Sequence, residues 1–242
     1  VASFYACKGR EVDYSPMPGV RDESVQLYLN GSVFGAILYQ RGLLPMHGSC
    51  FAYTGTGVML CGESGSGKSA LTAAFSIKDS SFLTDDVTPV IFKENKPFIL
   101  ALSDRIKLWS DTLEQLELGK KGLRRISPET EKYYFTIDRR NADPVSLKLI
   151  YLLEIHDDPQ TIICELAGSE RFSSLHGEIY RREYLHGMPD NEKIYFNNLV
   201  DISNNVRIYR VKRPETVRVN DMMVLLREHI FKSLSIGGIE KK

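Results

Sequence analysis

The stretch Gly62-Glu63-Ser64-Gly65-Ser66-Gly67-Lys68-Ser69 fits G-x-x-x-x-G-K-[ST]. Its chemistry is phosphate binding. Glycines let successive backbone N–H groups turn toward one anion, which bulkier residues hinder. Lys68 can reach the β- and γ-phosphates of a nucleotide, and the Ser69 hydroxyl can hold Mg²⁺. A helix opening at Gly67 adds its positive dipole end. The candidate nucleotide-binding set runs from Gly62 through Ala70.

Asp85 and Asp86 form a second group, at the end of a short apolar run one helix after the loop. A carboxylate on a strand beside the loop strand is where a magnesium ligand belongs. Neighbours in an extended chain point opposite ways, so one Asp can hold Mg²⁺ while the other accepts a hydroxyl proton. His47 is the third candidate. A lone His in an apolar strand is more often a core residue, but this one lies near the loop strand. It can orient an Asp, modulate its pKa or touch the metal. Charge spread over a transferred phosphoryl group calls for cations. Arg105, Lys132 and Arg124 are the first candidates, with Arg125 and Arg139 beside them. Trp109, the only tryptophan, reads as core. His156, His176 and His186 lack metal-ligating spacing, and no G-x-S-x-G or H-E-x-x-H pattern occurs.

These residues need a strand before the loop and a helix after it. Val58–Cys61 supplies the first and Ala70–Phe75 the second. The apolar run 43–53, the Gly-bearing turn 54–57 and Val58–Cys61 read as an antiparallel hairpin. The loop strand is therefore the second arm of a hairpin, which the common parallel nucleotide-binding architecture does not usually provide. Upstream, Val25–Leu29 alternates and reads as a strand, followed by a short helix over 33–40 that Gly42 ends. Downstream, strands are expected at 81–84, 87–92 and 98–102. A helix from Ser110 to about Leu118 is expected to be capped by Ser110. A buried strand at Lys148–Ile155 is expected to be returned by Thr161–Cys164. The remaining expectations are a helix at Ser169–Arg182, a polar loop, a strand at Val206–Val211 and a final helix from about Asn220. Residues 119–141 are polar and basic and read as a mobile segment.

The 242 residues fit one domain, 1–242, with residues 1–30 as a strand-and-loop appendage. Lys+Arg and Asp+Glu balance at 31 each, so no basic excess marks a nucleic-acid or anionic-membrane surface. No apolar run approaches membrane-spanning length. Cys7, Cys50, Cys61 and Cys164 show no C-x-x-C pair and read as reduced thiols of a cytoplasmic protein.

With His47, the loop and Thr84-Asp85-Asp86 in this order, the chain resembles the HPr kinase/phosphorylase family. The closer likeness is to the shorter HPr-kinase-related proteins. The likeness extends through Gln40-Arg41-Gly42-Leu43-Leu44-Pro45-Met46-His47, Lys107-Leu108-Trp109, Glu131-Lys132 and Ile208-Tyr209-Arg210-Val211-Lys212-Arg213-Pro214. It covers about residues 25–235. The chain departs from the family at Glu63, where Asp is usual, and lacks a counterpart of the large N-terminal domain. The resemblance implies an α/β fold with a mixed sheet, similar to the P-loop kinase core of phosphoenolpyruvate carboxykinase flanked by helices. It also implies that Asp85 is the catalytic base, that Asp86 is a magnesium ligand with Ser69, and that His47 lies beside them. The expected activity is ATP- and Mg²⁺-dependent transfer to a serine of a peptide or small protein. Some short relatives phosphorylate ribosomally made peptide precursors. No nucleic acid or membrane partner is expected, and a homo-oligomer is open. The alternatives are a small-metabolite kinase of the same fold and a nucleotide-binding switch without transfer.

Overall fold

The structure, a computed structural model, describes residues 1–127, 129–137 and 143–236. The chain opens with an antiparallel hairpin of β1 (Ala2–Cys7) and β2 (Glu11–Pro16). Helix α1 (Asp22–Tyr28) then runs through one wide π turn (Leu29–Val33) into α2 (Phe34–Gln40). This corrects the strand expected at Val25–Leu29. The alternation of Val25, Leu27 and Leu29 fits a strand. Two features instead favour a helical run: acidic residues in its first turn and the burial of Val25, Val33, Ile37 and Leu38. The wide turn brings Gly31 and Gly35 against Tyr180. A Cβ added to either would lie 3.1 or 3.0 Å from its side chain.

Strands β3 (Leu44–Tyr53) and β4 (Thr56–Gly62) form the expected antiparallel hairpin. Thr54 and Gly55 have φ of +48° and +79°, the two positive values that a tight hairpin turn requires. The phosphate-loop sequence follows, then α3 (Lys68–Lys78) and β5 (Ser81–Thr84). Next come β6 (Val87–Lys93), β7 (Lys96–Ile99), β8 (Arg105–Trp109) and α4 (Ser110–Gln115). The N-cap of α4 is Trp109, not Ser110, whose hydroxyl accepts from Lys120 Nζ at 2.6 Å. The basic stretch supplies β9 (Arg124–Arg125) and β10 (Lys132–Thr136), which join β8 in a small antiparallel sheet ordered β8-β10-β9.

The second half contains β11 (Val145–His156), β12 (Ile162–Glu165), α5 (Ser169–Gly177), α6 (Pro189–Asn205), β13 (Arg207–Pro214) and α7 (Val219–Ile236). Two expectations change here. Strand β12 pairs with β13 rather than returning along β11. Helix α6 replaces the polar loop. Its polar residues mask a helical spacing in which Tyr195, Leu199 and Ile202 are buried.

The main sheet is mixed and eight-stranded, ordered β12-β13-β11-β4-β3-β6-β7, with β5 also on β3. β4, β11 and β13 are mutually parallel. β7 closes back onto β11 through Val145↔Ile99 and Ser146↔Phe98. Helices cover both faces, so β4 is apolar from Val58 to Cys61. Met59 and Cys61 join the core under α5 and α6, while Val58 and Leu60 join the core under α3 and α7. This period-two division holds the end of β4, and the loop that leaves it, from both sides. All four cysteines are free thiols. Among the described residues no helix is long and apolar enough to cross a membrane.

Phe75 of α3 is fully buried and stacks on Phe51 with ring centroids 4.3 Å apart. Phe75→Ala is expected to cost about 3–5 kcal/mol, read from the midpoint of chemical unfolding. His229 of α7 lies with Nδ1 3.0 Å from the Tyr151 hydroxyl. Burial first, then Arg207 and Lys232, hold its pKa below the ordinary value. The unfolded chain therefore takes up that proton first. The stability contribution is complete above the ordinary histidine pKa and is lost as pH falls through it. His229→Gln is expected to flatten the loss of stability between about pH 7 and pH 5 relative to the wild type.

Candidate active site

The loop begins where β4 leaves its pairing with β11. Gly62 pairs with Leu153 and has φ of +126°. A Cβ there would stand 2.3 Å from the Leu153 carbonyl oxygen, so the position admits only glycine. Gly67, at φ +99°, is the N-cap of α3. Lys68 is buried in the first turn of α3, and its Nζ donates to the carbonyls of Gly62 (2.6 Å) and Glu63 (2.9 Å). Burial lowers its pKa, and Cys61, Glu178 and the two Asp residues oppose this.

A cavity of about 370 Å³ opens over the loop. Ser64, Gly65, Gly67, Lys68, Ser69 and Ala70 line it. Gly62, Glu63 and Ser66 stand behind as its frame. The carbonyls of Gly62 and Glu63 hold Lys68. That of Ser66 accepts from Arg213 Nε at 2.9 Å.

Asp85 and Asp86 follow β5, which is held beside the hairpin by pairing with β3. The chain turns sharply here, with Thr84 Oγ1 donating to the Val87 carbonyl at 3.0 Å and Asp86 at φ +72°. The turn sends the two carboxylates apart. Asp85 Oδ1 accepts from the Ser69 hydroxyl at 2.7 Å, and its Oδ2 accepts from the Lys107 backbone N–H at 3.1 Å. Asp86 Oδ2 accepts from Lys107 Nζ at 2.8 Å, and its Oδ1 is 3.8 Å from His47 Nε2. The resemblance groups Ser69 with Asp86, whereas in the structure the Ser69 hydroxyl bonds Asp85. Burial disfavours the Asp86 carboxylate, but Lys107, with His47 and Lys132, outweighs it and holds the pKa below the usual range. Burial likewise opposes the Lys107 charge, and Asp86 reverses the effect. His47, on β3, has its pKa lowered by burial first and then by Lys68, against the pull of Asp86 and Asp85.

Of the cationic candidates, the structure brings Lys132 to the cavity and not Arg105 or Arg124. Lys132 Nζ sits 5.4 Å from the centre of the Trp109 ring, and burial lowers its pKa. Arg105 lies over Tyr134, Arg124 pairs with Glu23 at 3.3 Å, and Arg125 pairs with Glu131. Arg139 lies outside the described residues. Trp109 is not core: it is 44% exposed and lines the cavity. Thr112, Gln115, Val217, Val219 and Met222 also line the cavity. Among the described residues no group of three or more His, Cys, Asp and Glu is placed to hold a metal.

Sequence reasoning missed three supports. Lys107 was named only as part of Lys107-Leu108-Trp109. Its position two residues before Trp109, on the same face of a strand, is a usable signal. Arg213 is buried near the end of β13, and a buried Arg is a residue type that needs partners. Besides Ser66 it reaches the carbonyls of Pro214 (3.0 Å) and Gly65 (3.5 Å). Glu178 left no local signal. Its Oε2 accepts from the Gly62 N–H at 3.1 Å, and burial raises its pKa against the pull of that bond and of Lys68.

No family model matches the sequence, and no curated protein matches it. Among solved structures, the chain is similar to the Hpr(Ser) kinase/phosphatase from Coxiella burnetii, with 12% identity. That likeness covers 78% of this chain and 97% of that one, at a TM-score of 0.40.

The Arg213 fork predicts a local effect. In Arg213→Lys the bonds to the loop carbonyls weaken, and amide hydrogen exchange over residues 63–67 is expected to accelerate about tenfold. Unchanged protection would show that the loop holds its shape without the guanidinium.

Proposed function

We propose that the protein is a P-loop phosphotransferase that moves the γ-phosphoryl group of ATP to a serine hydroxyl of a peptide or small protein. The observation that carries this reading is one cavity rim on which Lys68 and Ser69 meet Asp85, Asp86, His47 and Lys107. A nucleotide cradle alone needs only the loop. A pair of carboxylates, one tied to the loop serine and the other beside a histidine, is the equipment of transfer.

In this reading the loop amides and Lys68 hold the phosphates, and the part of the cavity lined by Trp109 takes the base. Ser69 Oγ and Asp85 Oδ1 are hard oxygens 2.7 Å apart, the donor type that Mg²⁺ accepts, so the residues fit that ion. When bound, the metal neutralises charge on the phosphate oxygens. The pairing of Ser69 with Asp85 supports Asp85 as the metal-side carboxylate and Asp86 as the acceptor-side one. This is the reverse of the division that the resemblance implies. Asp86 then receives the proton of the acceptor serine hydroxyl while the serine oxygen bonds to the γ-phosphorus, the bond to the β,γ-bridging oxygen breaks, and ADP leaves. A carboxylate of low pKa suffices, because a loose transition state asks little of the base. Lys132 and Lys107 supply positive charge near the transferred group.

The test is incubation with γ-labelled ATP, Mg²⁺ and serine-containing peptides, followed by identification of the labelled residue. Label on serine supports transfer, whereas nucleotide binding with no label on any acceptor supports a switch. Asp86→Asn is expected to lower transfer by about 100-fold or more while ATP still binds. Asp85→Asn is expected to weaken magnesium-dependent ATP binding as well, and Lys68→Ala to weaken both binding and transfer. If Asp85→Asn alone abolished transfer with binding intact, the division of roles would revert to the one implied by resemblance.

A further inference from the structure

We infer that an acceptor polypeptide enters through a second groove that meets the first at His47 and Asp86, and that Arg181 selects an acidic residue beside its serine. This rests on the kinase reading above.

The second cavity has a volume of about 480 Å³. It shares His47, Asp86 and Lys107 with the cavity over the loop, and no residue of the loop itself. Those three side chains are therefore the partition between the two spaces. A phosphoryl group held on one side and a hydroxyl arriving from the other meet at that partition.

Two chain segments wall the groove. One is the wide turn after α1, with Tyr28 and Ser32. The other follows α5, with Tyr180 and Arg181. The segments are locked together because Gly31 and Gly35 leave room for the Tyr180 ring. The second segment is also fastened to β3. The His47 N–H donates to the Glu178 carbonyl at 2.7 Å, and the Tyr180 N–H donates to the Pro45 carbonyl at 3.0 Å. The groove is thus built on the strand that carries His47.

Its charge is asymmetric. Lys107 is engaged by Asp86. Arg181 is exposed at the rim, its guanidinium 6.0 Å from the Tyr180 ring centre and 3.5 Å from Glu183. With five N–H donors, a guanidinium in those contacts retains capacity for an incoming carboxylate. The occupant is longer than a metabolite. Past Tyr28 the surface continues onto the β1–β2 hairpin, where Phe4 stacks on both Tyr28 and Tyr14 at 6.2 Å. Tyr14 and Met17 remain exposed there. An extended chain with its serine at Asp86 can follow that aromatic track.

The probe is a library of serine-centred peptides, with each flanking position fixed as acidic, basic or neutral, and labelled ATP with Mg²⁺. The wild type is expected to label acid-flanked serines about tenfold faster than neutral ones. Arg181→Glu is expected to invert that order toward basic flanks, while Tyr28→Ala is expected to raise KM with little change in kcat. Nucleotide binding, followed by fluorescence, reports that each variant is folded. Labelled peptides without charge preference, or an unchanged preference in Arg181→Glu, would overturn the groove assignment and leave the kinase reading intact. Free serine labelled as well as the peptides would overturn the polypeptide assignment. No label on any acceptor, with nucleotide bound, would overturn the kinase reading and this inference with it.

Discussion

Two adjacent carboxylates in a half-buried site repel one another, and the candidate site depends on the way Lys107 resolves that repulsion. One residue serves both. Its backbone N–H holds Asp85, and its ammonium holds Asp86. Because the two contacts come from opposite ends of one residue, the carboxylates are kept in separate places. Strand β8 is therefore more than a cover for α3. It fixes a division between a carboxylate tied to the loop serine and one tied to Lys107 beside His47, and the roles proposed for the two Asp residues follow from that division.

The features written in contiguous residues were legible in the sequence. The loop, the hairpin before it and Asp85-Asp86 after it are each set by a few neighbours and stand where expected. Asp86 and His47 also come within 3.8 Å. What sequence could not supply were contacts made by distant pairing. Glu178 reaches Gly62 from the far end of α5, across 116 residues, and nothing near it hints at that partner. The errors have physical causes too. Val25, Leu27 and Leu29 alternate as a strand does, but burial of the wider helical face wins. Helix α6 is mostly solvated, so its polar residues hid three buried positions. A lone tryptophan reads as core because it is large and apolar, yet the Trp109 ring edges a cavity and carries Lys132.

The sheet explains why these parts meet. The parallel strands β4, β11 and β13 end on the same side, delivering the loop, Ile155 and Arg213 together. The antiparallel β3 starts on that side and delivers His47, and β5 delivers the two Asp residues there. In a purely parallel sheet the segment just before the loop strand would be a crossover, so no preceding hairpin arm would stand beside the loop. The hairpin thus converts sequence proximity into a histidine opposite the loop strand, which is the architectural basis of a two-sided site.

The Arg213 fork carries a consequence for biosynthesis. The loop it braces is complete as a sequence by Ser69, but its Ser66 carbonyl waits for a partner 147 residues later. Gly62 likewise waits for Leu153, from β11. A nascent chain emerging from the ribosome therefore carries the phosphate-loop sequence long before it carries the braced loop. The hairpin and α3 can form early, while the loop acquires its braced shape only when β13 docks, 147 residues after Ser66 at its Arg213 contact.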